Sequence, residues 1–169
     1  MAEFQIGMMG LGVMGASLAR NLAAHGFSVA GYDLAPEKRS AFKAADRAGA
    51  LEAMDDIPAF VEALETPRRI ILLVPSGVVD AAIESLKPHL SEGDLLIDLG
   101  NSFFMDTERR ASLMEEEGLY YFFGAGVSGG EKGALRGPSI MPGGQPEAYQ
   151  LIEPAFRAIA AKVDGEPCV

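Results

Sequence analysis

Gly10, Gly12 and Gly15 stand in a G-x-G-x-x-G spacing directly behind an apolar run, and Asp33 closes the next apolar run 18 residues after Gly15. This pattern suits a strand that turns sharply into a helix. The first glycine permits the turn, the second lets backbone approach a pyrophosphate, and the third lets helix and strand pack closely. The helix N-terminus then offers unpaired N–H groups and the positive end of its dipole to the phosphates. With the acid at that distance, the motif predicts dinucleotide binding, ahead of a glycine turn without a ligand. A carboxylate at Asp33 can accept hydrogen bonds from ribose hydroxyls and would repel a 2′-phosphate. Leu34, Ala35 and Pro36 bring no cation before Lys38. The expected coenzyme is therefore NAD, with NADP disfavoured; the alternative for Asp33 is a surface acid capping the next helix.

Two later stretches also carry residue types that tight turns do not need. D-L-G-N-S-F-F-M-D-T-E-R-R and G-A-G-V-S-G-G-E-K-G-A-L-R-G-P-S-I-M-P-G-G each begin at the end of a strand pattern, where open parallel sheets bind ligands. Asn101 offers an amide donor and acceptor. Ser128, Gly129 and Gly130 offer a hydroxyl and closely spaced N–H groups able to reach an anion.

The elements that must position these residues alternate along the chain. Residues 4–10, 27–32, 69–74, 94–99 and 119–127 read as five strands, the third of them apolar throughout, as a strand buried on both faces should be. Leu18, Ala19 and Leu22 mark a helix ended by Gly26, and Pro36 opens a helix carrying Phe42. Asp55 or Asp56 caps a helix with Pro58 in its first turn and Ile57, Phe60, Val61 and Leu64 on its apolar face. Val79, Ala82, Ile83 and Leu86 mark another helix, a charge-rich one covers 106–117 ahead of Gly118, and 146–161 is helical with a kink or boundary at Pro154. Residues 46–54 are weakly patterned. The alternation predicts an α/β, Rossmann-type, doubly wound and mainly parallel sheet with helices on both faces.

The 169 residues suit one domain, 1–169, and the 49% apolar content can fill a core. A net charge of −10 argues against a nucleic-acid or anionic-membrane surface. The single cysteine, Cys168, excludes an internal disulfide, and His25 and His89 lack metal-ligand spacing. No apolar run approaches the ~20 residues of a membrane span, and M-A-E-F-Q-I-G lacks a basic leader, so the simplest address is the cytoplasm.

The segments G-L-G-V-M-G, L-E-T-P-R-R-I-I-L-L-V, S-L-K-P-H-L-S-E-G-D-L-L-I-D-L-G-N-S-F-F-M-D-T-E-R-R, G-V-S-G-G-E-K-G-A-L-R-G-P-S-I-M-P-G-G-Q-P-E-A-Y and D-G-E-P-C-V together resemble the N-terminal coenzyme domain of the 6-phosphogluconate dehydrogenases. They span essentially the whole chain. The wider 3-hydroxyacid dehydrogenase superfamily shares the first glycine loop and an S-G-G loop, while G-P-S-I-M-P-G-G is specific to the 6-phosphogluconate branch. The resemblance implies oxidative decarboxylation of 6-phosphogluconate to ribulose 5-phosphate, as in the pentose phosphate pathway and gluconate utilisation. Hydride would pass from C3 to the nicotinamide. It implies that Val13 and Met14 lie along the dinucleotide, Met14 near the nicotinamide. Leu34, Val74, Pro75, Ser76 and Asn101 also fall to the coenzyme, and Asn101, Ser128, Gly129 and Gly130 to the substrate. The family's catalytic Lys and Glu belong to a helical domain that would follow Val169, so no catalytic residue is expected in this chain, and the full-length form is expected to be a homodimer.

Four departures from the family pattern stand out. Asp33, Leu34 and Ala35 replace Asn-Arg-Ser or Asn-Arg-Thr; Pro75, Ser76 and Gly77 replace Lys-Ala-Gly; Leu99 replaces a glycine; and Lys132 replaces an acid, more as a solvated loop lysine than as a substrate ligand. Two alternatives stay open: the coenzyme domain of another 3-hydroxyacid dehydrogenase, and a non-catalytic nucleotide-binding module.

Overall fold

The computed structural model describes residues 4–47, 49–118 and 120–169. Met1, Ala2 and Glu3 of the N-terminal reading, Ala48 of the weakly patterned stretch and Leu119 of the fifth expected strand lie outside them. The elements are β1 (Ile6–Met9), α1 (Val13–Ala24), β2 (Val29–Tyr32), α2 (Pro36–Ala44), β3 (Leu51–Ala53), α3 (Ile57–Glu62) and β4 (Arg69–Leu72). A short 3-10 turn (Ser76–Val78) leads into α4 (Val79–Leu86). Then come β5 (Leu95–Asp98), α5 (Phe104–Glu117), β6 (Tyr121–Ser128), α6 (Gly130–Arg136), β7 (Ser139–Pro142), α7 (Pro146–Gln150), α8 (Glu153–Ile159) and a small hairpin of β8 (Lys162–Val163) and β9 (Glu166–Pro167).

Seven strands form one sheet in the order β3-β2-β1-β4-β5-β6-β7, parallel throughout except for the antiparallel β6–β7 pair. The chain runs outward through β1, β2 and β3 and then crosses back to place β4 beside β1. The C-terminal ends of β1 and β4 are thus the topological switch point, where such sheets open a crevice. The loops that leave these strands start in step. Gly10 N–H donates to the Tyr32 carbonyl at 2.8 Å, Leu73 N–H to Met9 at 2.9 Å, and Leu99 N–H to Leu72 at 3.0 Å.

The apolar runs of the middle strands are explained by their two faces. Ile71, Leu95 and Ile97 join one core with Leu18 and Leu22 of α1 and Phe156 of α8. Ile70, Leu72 and Leu96 join the other, with Phe60 of α3, Ile83 of α4 and Met114 of α5. Alternate side chains of one strand therefore enter opposite layers, which is why these runs are apolar without alternation. Asp56 caps α3 by accepting the Ala59 N–H at 2.8 Å, and Gly118 ends α5 in the left-handed region, both as expected. Pro154 is the second residue of α8, just past the break after α7, so it marks a boundary, one of the two roles expected of it. The weakly patterned stretch holds an edge strand, β3, and the G-G-E-K-G-A-L-R-G-P-S-I-M-P run, expected as a binding loop, folds into α6 and β7. Among the described residues, no helix is long and apolar enough to cross a membrane.

Candidate coenzyme site

The three glycines of the first loop do different work. A Cβ on Gly10 would meet the Leu73 carbonyl, and Gly10 sits at φ +100°, where side chains are strained. A Cβ on Gly15 would overlap the Gly10 carbonyl, so the third glycine is needed where α1 crosses the turn. A Cβ on Gly12 would meet nothing within 4 Å. The fold itself therefore requires Gly10 and Gly15, whereas Gly12 faces open space of the kind a ligand's phosphates need. Gly12 is also the N-cap of α1, with no side-chain cap and no acid in the first turn. The N–H groups of that turn have no carbonyl within the helix and are left for an outside acceptor.

Asp33 follows β2, and its side chain is only 10% exposed. Its Oδ2 accepts the Leu11 N–H at 2.8 Å, its Oδ1 accepts the Ala35 N–H at 3.0 Å, and Lys38 Nζ stands 3.4 Å from Oδ2. Burial acts to raise the carboxyl's pKa. The N–H groups of Ala35 and Leu11, with Lys38, outweigh it and hold the carboxyl below its ordinary value. The acid thus ties the glycine loop to the end of β2.

One cleft of about 1140 Å³ opens over these loops. Its lining includes Gly10, Gly12, Val13, Met14 and Gly15 from the first loop and helix, and Asp33 and Leu34 from the second. Val74, Pro75 and Ser76 come from the loop after β4, and Leu99, Gly100 and Asn101 from the loop after β5. Every residue assigned to the coenzyme from the sequence thus lines a single cavity at the switch point. Leu34 is 84% exposed, and Leu99 is buried in the core with only its edge on the cleft. The sequence reading noted Lys38 but gave it no place on this wall, and it missed the small residues Ala81 and Ser85, which line the wall from α4. Their spacing of four, beside the apolar face read at Val79 and Ile83, is the signal that could have found them.

The residues assigned to the substrate fall in two places. Asn101 lines the cleft, but Ser128, Gly129 and Gly130 do not; Val127, one residue earlier, does. Those three are exposed where β6 hands over to α6, at the same C-terminal edge of the parallel strands and directly after Val127, with Gly129 and Gly130 at φ +126° and +61°. Helix α6 lies against α1, tied to it by the buried Asn21, whose Nδ2 donates to the Ala134 carbonyl at 3.0 Å and to Ile159 of α8 at 3.2 Å. Lys132 is exposed, but it stands in the first turn of α6 and not in a loop.

Residues 5–167 match the family described as the NAD binding domain of 6-phosphogluconate dehydrogenase. The chain belongs to that family. It is 50% identical, over 169 residues, to a Bacillus subtilis (strain 168) protein named 6-phosphogluconate dehydrogenase, NADP(+)-dependent, decarboxylating. That match covers 99% of this chain and 36% of the relative, so the chain spans about a third of the relative's length. The fold superposes on a Plasmodium falciparum 6-phosphogluconate dehydrogenase, described in apo form and in complexes with NADP+ and with 6-phosphogluconate, at a TM-score of 0.92. Sequence identity there is 34%, covering 98% of this chain and 36% of that one. A Mycobacterium tuberculosis 3-hydroxyisobutyrate dehydrogenase is more distant, at a TM-score of 0.80 and 27% identity over 96% of this chain and 53% of that one.

These relatives overturn the expectation of NAD as the coenzyme, since one is named NADP(+)-dependent and the other was solved with NADP+. The physical reason lies in Asp33. The expectation set an uncompensated carboxylate against a 2′-phosphate, whereas Lys38 Nζ stands 3.4 Å from Asp33 Oδ2 on the cleft wall and supplies an opposing charge.

Proposed function

We propose that this chain is the NADP-binding part of a decarboxylating 6-phosphogluconate dehydrogenase. In that enzyme, 6-phosphogluconate is oxidised at C3 and loses CO2 to give ribulose 5-phosphate. The observation that carries the coenzyme role is Gly12: a glycine the fold does not need, facing open space at an uncapped helix N-terminus inside the cleft. The residues fit a dinucleotide. The first turn of α1, from Val13 and Met14, would receive the pyrophosphate, and Lys38 would face the 2′-phosphate. The wall of Val74, Pro75 and Ser76 would close over the chain of the coenzyme, with Asn101 at the inner end. When bound, NADP+ supplies the nicotinamide ring that accepts hydride. What the chain's own residues do is bind, orient and exclude water; Met14 and Asn101 would fix the ring's face against the sugar acid. Ser128, Gly129 and Gly130 would meet the substrate from outside this cleft.

The relatives' names, at about half identity, favour this reading over another 3-hydroxyacid dehydrogenase, and over a module that binds nucleotide without catalysis. A homodimer as the full-length form and a cytoplasmic address, where a sugar phosphate is at hand, belong to the same proposal. Calorimetric titration of NADP+ into the chain tests it. One site per chain is expected, lost in Gly12→Val. A folded chain that takes up no NADP+ overturns the reading.

A further inference from the structure

We infer that Asp98 and Arg110 are positioning residues that hold Asn101 in the cleft, an inference that rests on the proposed coenzyme site. Asp98 is the last residue of β5 and is 2% exposed. Its Oδ1 accepts the Gly100 N–H at 2.9 Å, and its Oδ2 accepts the Ser102 hydroxyl at 2.5 Å. The two bonds straddle Asn101, so one carboxylate holds the backbone N–H before it and the side-chain hydroxyl after it. The loop has little slack: a Cβ on Gly100 would stand 3.1 Å from Asp98 Oδ1 and 3.2 Å from the Val74 carbonyl.

A buried carboxylate is costly without a counter-charge. Arg110, in the second turn of α5 and 4% exposed, brings Nη1 to 3.7 Å from Asp98 Oδ2. That is an ion-pair distance but not a hydrogen bond, and Nη1 is buried with no acceptor of its own. The remainder of the guanidinium grips Asp80 of α4, with Nε on Oδ1 at 2.7 Å and Nη2 on Oδ2 at 3.2 Å. Asp80 also takes Arg109 Nη2 at 2.9 Å. Asp80 is the second residue of α4, directly behind the turn whose Ser76 and Val78 wall the cleft. A line of charge thus runs from the wall after β4, through Arg110, to the loop after β5. It braces the two walls between which the coenzyme would lie.

A staple between α4 and α5 would show the same contacts, and the energetic coupling to Asn101 separates the two roles. NADP+ is titrated into the wild-type chain, Asp98→Asn, Arg110→Met, Arg110→Lys and Asp80→Asn, each also combined with Asn101→Ala. In the Asn101 background, Asp98→Asn and Arg110→Met are expected to weaken NADP+ by about 5- to 30-fold, with Arg110→Lys recovering part of the loss. In the Asn101→Ala background the same changes should cost no more than about twofold, because the residue they position is gone. Hydrogen exchange at the Gly100 amide should quicken by about tenfold or more in Arg110→Met without ligand present. Asp80→Asn, at a side chain 56% exposed, carries the test should Arg110→Met fail to fold. Equal losses in both backgrounds, or unchanged affinity with unchanged Gly100 exchange, would reduce the network to a staple and overturn the inference. A wild-type chain that is folded yet binds no NADP+ overturns the proposed function, and the inference with it.

Discussion

Asp33 shows how one side chain can satisfy a sequence rule and serve another purpose. Its distance from the glycine loop and its place after β2 are those of a ribose-binding acid, and its oxygens also accept the Leu11 and Ala35 N–H groups, which tie two loops together. Spacing fixes where a residue falls in the fold; it does not fix which donors reach its lone pairs once the loops close. The consequence is a pH dependence of known sign. The folded carboxyl lies below its unfolded value of about 3.9, so its stabilisation is complete above about pH 4 and is lost as pH falls through the lower folded value. Asp33→Asn is expected to lower stability at pH 7 by about 1–2 kcal/mol, since one amide cannot accept both N–H bonds as an anion does. The variant's melting temperature should also fall less than the wild type's between pH 4.5 and 3. Scanning calorimetry of both proteins across that range checks this, and parallel acid slopes would show that the carboxylate contributes no linkage. Lys38 went unassigned for the same reason: its spacing of five from Asp33 is unremarkable until the helix turn brings its ammonium onto the carboxylate.

At the level of elements, the alternation of apolar runs and helical faces made β1, β2, β4, β5 and β6 legible, because each strand must feed two cores. The missed elements lack that signal. Strand β3 is only Leu51–Ala53 at the sheet edge, with Glu52 between two buried residues. Strand β7 ends on Pro142 and borders two glycines, a composition that reads as a loop, yet an edge strand tolerates the missing N–H. The binding loops were legible as motifs, and the coenzyme residues among them line one cleft, with Val127 at its edge and the Ser128–Gly130 turn next in the chain. The junction of β1 with α1 makes a sharper test. Gly12→Val adds a side chain to open space and loses only a favoured N-cap residue, so it should lower stability by about 1 kcal/mol while abolishing NADP+ binding. Gly15→Val drives a branched side chain into the Gly10 carbonyl and should cost about 3 kcal/mol or more, taking binding down with the fold. Thermal melting beside titration separates the two. A Gly12 variant as unstable as the Gly15 variant would mean that the second glycine is structural after all.

The whole molecule carries a net charge of −10, and the proposed coenzyme is itself a multiply charged anion. Long-range attraction cannot assemble that pair, so affinity must come from what the cleft concentrates: the α1 N-terminus, Lys38 and the apolar walls. Coupling between such a ligand and the fold is readable as heat stability. At NADP+ one hundred times its dissociation constant, binding should add about 2.7 kcal/mol to unfolding, and the melting temperature should rise by about 5–10 °C for a chain of this size. The same chain should form no ribulose 5-phosphate from NADP+ and 6-phosphogluconate. It spans 36% of its Bacillus relative, and the family resemblance assigns the proton-transferring Lys and Glu to the part that follows. General acid–base help is worth about 10²–10⁴-fold per group, so losing both places turnover below detection even with coenzyme bound. The measurement pairs a melting curve with a product assay on one preparation. A shift without turnover is the expected result. Turnover by the 169 residues would place a base within this chain, where only Asn101 and the Ser128–Gly130 turn have been assigned to the substrate.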